Sequence, residues 1–359
     1  MSIEAAAPTI RLTVVQRLAL LALSLGVGVG VGVGAAHANT WLAVSGAGSQ
    51  GAPISIYPSN ASGNLAPSAT IQGNAVNING CTSLDHDPLA DEVYCADFSG
   101  QALAIFAANA SGNVAPLRRI TSAQAIGQLR AATRLGASEE LAVLRSFGAG
   151  IRILPRGGNG EVQALRSISG SNTQLDNPLK IVFLPASNEL AISDFSTAAG
   201  ITTGEVVIFP AGGSGNLAPS RRITSPAMGQ QTADLLWTPR RPAELFVLVA
   251  DPSVGGIMPL RVVVFAVDAA GVSTPLREIA GSLTRLTNFG KLAYVASRDE
   301  LLVTTNLFNG LPEVLAFPAG GNGNIAPTRA LAGASVGGPF YAAVDLPPSE
   351  QIFANGFEP

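Results

Sequence analysis

The chain is expected to be all-β: six equivalent four-stranded antiparallel sheets, closed into one body by pairing of its N- and C-terminal strands. Three observations carry this expectation. A hairpin signature recurs six times, a second hairpin separates successive copies, and the apolar runs are β-branched and nearly continuous. In the signature an aromatic or leucine (Tyr57, Phe106, Leu154, Phe209, Phe265, Phe317) is followed six residues later by glycine (Gly63, Gly112, Gly160, Gly215, Gly271, Gly323). Eight residues beyond each glycine stands an aliphatic: Ile71, Ile120, Ile168, Ile223, Ile279 or Leu331. Both offsets hold although successive copies lie 48 to 56 residues apart.

Each signature reads as a hairpin. Its leading run, as in Arg261-Val262-Val263-Val264-Phe265, suits a strand. The fixed glycine marks a turn needing positive φ. Proline four residues later in five copies (Pro67, Pro116, Pro219, Pro275, Pro327) lacks an amide donor and places the following strand at a sheet edge. Between copies, Glu92, Glu140, Glu189, Glu244, Glu300 and Glu350 each open a second short apolar strand, with a weaker apolar stretch upstream. Two hairpins in about 50 residues make four strands, the size of a propeller blade. A blade packs on neighbours through both faces, which explains the unbroken apolar runs. Trp41-Leu42-Ala43-Val44 lacks an inner partner and Phe340-Tyr341-Ala342-Ala343-Val344 lacks an outer one, so the two join to complete one blade of a six-bladed β-propeller.

Residues 1–38 read as a signal peptide, with Arg11 and Arg17 before an apolar stretch and Ala36-His37-Ala38 as the cleavage site. The mature chain, 39–359, is then one propeller domain with 19 basic and 23 acidic residues. Its arginines are scattered, which argues against nucleic acid. With the leader removed, no stable membrane span is expected. Cys81 and Cys95, the only cysteines, are expected to form a disulfide in an oxidising compartment.

Between them Thr82 to Glu92 reads as a solvated acidic loop in which Asp85, Asp87 and Asp91, with His86 nearby, form an alternative metal set. Second strands end in Asp97, Asp194, Asp251, Asn306 and Asn355, with Arg145 breaking the pattern. These residues either cap turns through backbone amides or ring a channel that holds a divalent cation or polar ligand. The recurring glutamates read as structural turn residues. Arg118, Arg166, Arg221, Arg277 and Arg329, each six residues after a hairpin glycine, are expected to bridge neighbouring blades. Lys180 and Lys291, the only lysines, occupy matching positions, which argues against a catalytic amine. No catalytic residue is assigned. His86 is the only histidine of the mature chain, and neither a nucleophile elbow nor a phosphate loop with its following helix is present.

The pattern Phe-Pro-x-x-x-x-Gly-Asn-x-Ala-Pro-x-Arg-x-Ile, followed by an inner hairpin ending in Asp or Asn, resembles bacterial exported NHL-type β-propellers, with lactonase-like and TolB-like propellers as broader neighbours. The tail Ile352-Phe353-Ala354-Asn355-Gly356-Phe357-Glu358-Pro359 is similar to a short Ile-Phe-x-x-Gly-Phe-Glu ending of exported Gram-negative proteins, and is also in register as a strand. The leading expectation is an exported, non-catalytic monomer, periplasmic or extracellular, that binds a protein or polysaccharide on one face and needs no cofactor. Gluconolactonase-type relatives imply the rival, a calcium-dependent lactone or ester hydrolase, for which the Asp/Asn ring read from the repeat, Asp97, Asp194, Asp251 and Asn306, would hold the metal.

Overall fold

In the computed structural model, which describes residues 40–45, 53–121, 127–146, 150–198, 201–251, 257–288, 290–306, 312–333, 336 and 340–346, the β-branched runs become strands and no α-helix is found among them. All lie in the unit His37–Pro359. The first repeat gives β1 (Thr40–Ser45), β2 (Ile54–Pro58) and β3 (Ala69–Ile71). The second gives β4 (Cys81–Asp87), β5 (Glu92–Asp97), β6 (Ala102–Ala107) and β7 (Arg118–Ile120). The third holds β8 (Leu129–Arg134), β9 (Glu140–Arg145), β10 (Gly150–Pro155) and β11 (Arg166–Ser169). Next come β12 (Lys180–Leu184), β13 (Glu189–Ala198), β14 (Ile201–Pro210) and β15 (Arg221–Thr224). The fifth repeat has β16 (Gln231–Thr238), β17 (Glu244–Ala250), β18 (Leu260–Ala266), β19 (Gly271–Val272) and β20 (Arg277–Ile279). The last has β21 (Leu292–Val295), β22 (Glu300–Asn306), β23 (Pro312–Pro318), β24 (Arg329–Ala332) and finally β25 (Phe340–Leu346).

Five sheets contain four antiparallel strands each, and a sixth contains five strands in the order β12-β13-β14-β15-β19. The expectation of six four-stranded blades is corrected accordingly: five blades have that make-up, and the remaining sheet has five strands. The reason lies at the seams. In the other seams a hairpin glycine forms a single parallel bridge with the aliphatic of the preceding repeat: Ile71 with Gly112, Ile120 with Gly160, Ile168 with Gly215, Ile279 with Gly323, and Leu331 with Gly63. At Ile223 and Gly271 the same contact runs one pair further, Thr224 with Val272, and becomes a strand.

The hairpin glycines adopt φ between 65° and 78°, and nothing lies within 4 Å of where a Cβ would stand. Conformation, not crowding, therefore requires glycine there. The Leu331–Gly63 bridge joins the last repeat to the first, with Gly63 N donating to Ala330 O at 2.7 Å. β1 pairs antiparallel with both β2 and β25, so the chain ends share a sheet as the sequence implies.

Burial follows the same plan. Tyr57, Phe106, Leu154, Phe209, Phe265 and Phe317 are all buried, and each packs in an apolar cluster shared with the preceding blade. Tyr57 thus meets Ala293, Val295, Leu302 and Leu331 from the last blade, and its hydroxyl donates to Val336 O at 2.5 Å. Burial pushes that phenol up to about 12. The innermost strands β25, β4, β8, β12, β16 and β21 contact one another in that circular order, the arrangement that in a propeller surrounds a central channel.

Cys81 and Cys95 form a buried disulfide between β4 and β5. Residues 1–38 and the tail 352–359 lie outside the described residues, as does Glu350. The register position of that glutamate in the closing sheet belongs to Thr40, opposite Pro58 as Glu189 is opposite Pro210.

Candidate functional site

Strand direction sorts the polar residues onto two faces. The turns from first to second strand and the hairpin tips share one face; the turns from second to third strand and the blade-to-blade connections share the other, called here the loop face.

On the hairpin face the repeated glutamates and arginines meet. Arg118 makes a two-pronged pair with Glu92 (2.8 and 2.7 Å), Arg166 with Glu140 (2.5 and 2.9 Å) and Arg277 with Glu244 (2.5 and 2.7 Å). Arg221 binds Glu189 at 2.8 Å, and Arg329 binds Glu300 at 2.7 Å. Four of these arginines also donate to carbonyl oxygens of the following blade: Ala211, Ala269, Ala319 and, from Arg329, Ala61. Four of the five arginines thus bridge blades as expected, Arg118 being shown only with Glu92 of its own blade, and the glutamates are their anchors. Such planar, charge-assisted forks fix one geometry, as a lysine cannot. The first repeat has Thr40 in place of the glutamate and Ala69 in place of the arginine, so it lacks both partners together.

The acidic stretch is not a loop. It runs as β4 to Asp87 and turns only at residues 88–91. Its polar composition reflects an inner strand bordering the channel. Asp87 is fully buried and accepts from Tyr94 Oη (2.6 Å), Arg134 (2.8 and 2.9 Å) and the amides of Leu89 and Ala90. Asp91, with φ of 53°, lies 3.6 Å from His86 Nε2. Burial holds that imidazole below its ordinary value. Asp85 is hydrogen-bonded by the Thr133 side chain and sits in the field of Lys180, while burial raises its carboxyl. The three acids therefore have three separate sets of partners.

The second-strand residues are likewise occupied locally. Asp97 accepts from the amides of Asn79 (3.0 Å) and Gly100 (2.8 Å). Asp194 accepts from those of Asp176 (3.0 Å), Asn177 (2.7 Å) and Phe195 (2.9 Å), and burial pushes its carboxyl up to about 6. Asp251 pairs with Arg261 at 3.0 Å. Asn306 ends β22 opposite Pro312, and its side chain lies outside the described ones. Asp97 and Asp194 thus cap turns and connections on the loop face through backbone amides, whereas Asp251 is held by an arginine. Among the described residues no group of three or more His, Cys, Asp or Glu is placed to hold a metal.

What does converge is a set the repeat pattern disguises. Lys180, Asp234 and Lys291 occupy one register position, four residues before the residue paired with their blade's glutamate. Lys180 Nζ donates to Ser83 Oγ (2.8 Å) and Leu84 O (3.1 Å) on β4, reaching past β8. Lys291 Nζ donates to Ala233 O (3.1 Å) and lies 3.7 Å from Asp234 Oδ1. Burial pushes the Lys291 amine below the usual lysine range; Asp234 opposes this, whereas Lys180 and Arg130 add to it. Arg130, on β8, donates from Nε to Ser146 Oγ (3.1 Å) and stands over the Phe98 ring. The matched spacing of the two lysines was the one available signal, and it reads equally well as a structural repeat.

A scan against protein families finds no match, and neither does a search of curated proteins. Solved structures do resemble the chain. A chain of a nidogen/laminin complex superposes with a TM-score of 0.58 at 12% identity, covering 86% of this chain and 98% of that one. A putative 6-phosphogluconolactonase from Bacteroides uniformis gives 0.52 at 14% identity, covering 85% and 84%. The Swd1 β-propeller domain of Myceliophteria thermophila gives 0.43 at 15% identity, covering 79% and 81%. At these identities the likeness is one of fold: the chain is a β-propeller with four-stranded antiparallel blades.

Proposed function

We propose that the chain is an exported, non-catalytic binding module of NHL-like type that engages a protein or polysaccharide with its loop face. The observation that carries this reading is the asymmetry of the two faces. On the hairpin face the repeated polar side chains are consumed in fastening blade to blade. The loop face carries the departures from the repeat, chief among them the β13–β14 hairpin. Both its strands are ten residues long, and it projects Thr197, Ile201 and Thr203 into solvent, Ile201 at 69% exposure. Loops on a rigid scaffold are where binding residues concentrate. Export is supported by the signal-like start and by the disulfide, which suits an oxidising compartment. No helix among the described residues is long and apolar enough to cross a membrane.

The test is a shortened hairpin in which residues 196–203 are replaced by a two-residue turn, compared with the parent against polysaccharide arrays and envelope extract. The reading expects lost binding at unchanged melting temperature. Binding unaffected by the shortening contradicts it. Calcium titration by calorimetry, combined with a lactone-hydrolysis assay, addresses the rival use of Asp97, Asp194, Asp251 and Asn306. A binding heat together with turnover would replace the non-catalytic reading.

A further inference from the structure

Arg130, Lys180, Asp234 and Lys291 come from, or immediately precede, four consecutive inner strands: β8, β12, β16 and β21. All four lie in the half of the channel nearer the loop face. Against three cations the described wall sets two acids, Asp85 and Asp234. The contacts of the Lys180 ammonium are neutral oxygens, those of Ser83 and Leu84. Asp234 is 2% exposed; its Oδ2 accepts from Leu292 N at 2.8 Å, while its buried Oδ1 has no hydrogen-bond partner. Lys291 Nζ, 3.7 Å away, forms an ion pair with it but does not close to hydrogen-bond distance. A buried carboxylate oxygen without a donor is destabilising, and a ligand that brings a proton to it recovers that cost. A fully deprotonated oxyanion cannot, because it would set like charge against Asp234.

We propose that this end of the channel binds inorganic hydrogen phosphate. Its anionic oxygens face Lys291 Nζ in the positive field of Lys180 and Arg130, and its P–OH donates to Asp234 Oδ1. Inorganic phosphate keeps at least one proton at neutral pH. Sulfate has none, and a phosphate monoester is mostly dianionic there. Discrimination among these three ions thus rests on Asp234, and the cations supply affinity without selectivity. The site is separate from the loop-face surface and does not depend on what that surface binds.

The experiment is calorimetric titration of the mature protein at pH 7 and low salt with sodium phosphate, sodium sulfate and methyl phosphate. Phosphate is expected to bind at least about tenfold more tightly than either of the others. Asp234→Asn, which offers an amide donor in place of the acceptor, is expected to erase or reverse the preference for phosphate over sulfate. Lys291→Gln is expected to weaken both ions alike. The proposal is overturned if phosphate gives no heat at millimolar concentration, if phosphate and sulfate bind the parent equally, or if Asp234→Asn leaves their ratio unchanged. Should Asp234→Asn fail to fold, the ion ratio of the parent and the parallel losses in Lys291→Gln decide the matter.

Discussion

Arg329 donates to the carbonyl oxygen of Ser59 at 2.6 Å across 270 residues of sequence, while the same side chain holds Ala61 O at 2.7 Å and Glu300 at 2.7 Å. This partly buried guanidinium fastens the last repeat to the first. Removing it leaves two carbonyl groups without this donor, while Glu300 keeps its pair with Arg298 (2.8 and 3.2 Å), so Arg329→Ala is expected to destabilise by roughly 1–3 kcal/mol in urea unfolding. Arg329→Lys should recover little of that, because an ammonium cannot reproduce the planar fork. A loss too small to measure in the alanine variant would mean that the seam contributes no stability.

A second fastening couples glycine to asparagine across seams. Asn324 Oδ1 accepts from Leu283 N at 2.8 Å, and Gly281, with φ of 116°, lies where a Cβ would overlap the Asn324 side chain. Gly73 with Asn113, Gly170 with Asn216 and Gly333 with Asn64 repeat the arrangement. Two other seams carry Ser225 with Val272 and Ser122 with Glu161, so glycine and asparagine are lost together. Gly281→Ser is therefore expected to cost roughly 1–3 kcal/mol alone and Asn324→Val about 1 kcal/mol alone. The double variant should lose clearly less than their sum, since removing the asparagine removes the overlap. Strict additivity in a double-mutant cycle would refute the coupling.

Asp194 makes stability depend on pH. Its carboxyl titrates near 6 when buried in the fold, above its ordinary value of 3.8. The neutral form is therefore favoured by folding, and the stability this site contributes is present at pH 4 and lost as pH rises through 6. Asp194→Asn, which keeps a carbonyl oxygen for the amides of Asn177 and Phe195 and loses the acceptor of the Asp176 amide, should lower stability overall but flatten that component of the melting profile. Parallel profiles for parent and variant between pH 4 and 7 would show that the carboxyl does not titrate there.

The disulfide closes a loop with a sequence separation of 14 between two adjacent strands. Cys81→Ala with Cys95→Ala is expected to cost about 3 kcal/mol in the chain-entropy account. The double variant should still fold at ambient temperature, because Ala104, Phe106 and Leu84 remain packed around the site. Failure to fold would mean that the bridge organises the second blade instead of merely securing it.

The ring was legible because its defining residues recur. Tyr57 and its five counterparts are buried without exception, and the hairpin glycines need positive φ whatever surrounds them. The site was harder to read for the opposite reason. Asp234 sits in Thr232-Ala233-Asp234-Leu235-Leu236, where nothing in the repeat flags an acid, and the two lysines resemble repeat residues because they share a register. Composition also misled at Thr82 to Glu92, whose polarity suits an inner strand lining a channel as well as an exposed loop. Repeat offsets show which residues are equivalent, but not which strands lie side by side. The arginines and glutamates were therefore both visible as recurring positions, while their pairing was not.

The pairing of the two chain ends tests the closed arrangement most directly. In the antiparallel register of β1 with β25, Leu42 lies opposite Val344, a separation that a disulfide can span. The variant carrying Leu42→Cys and Val344→Cys is expected to oxidise to an intramolecular 42–344 link, identified by peptide mass mapping, with the native 81–95 bridge intact. Free thiols at both positions, or links formed only between molecules, would contradict a ring closed by its termini.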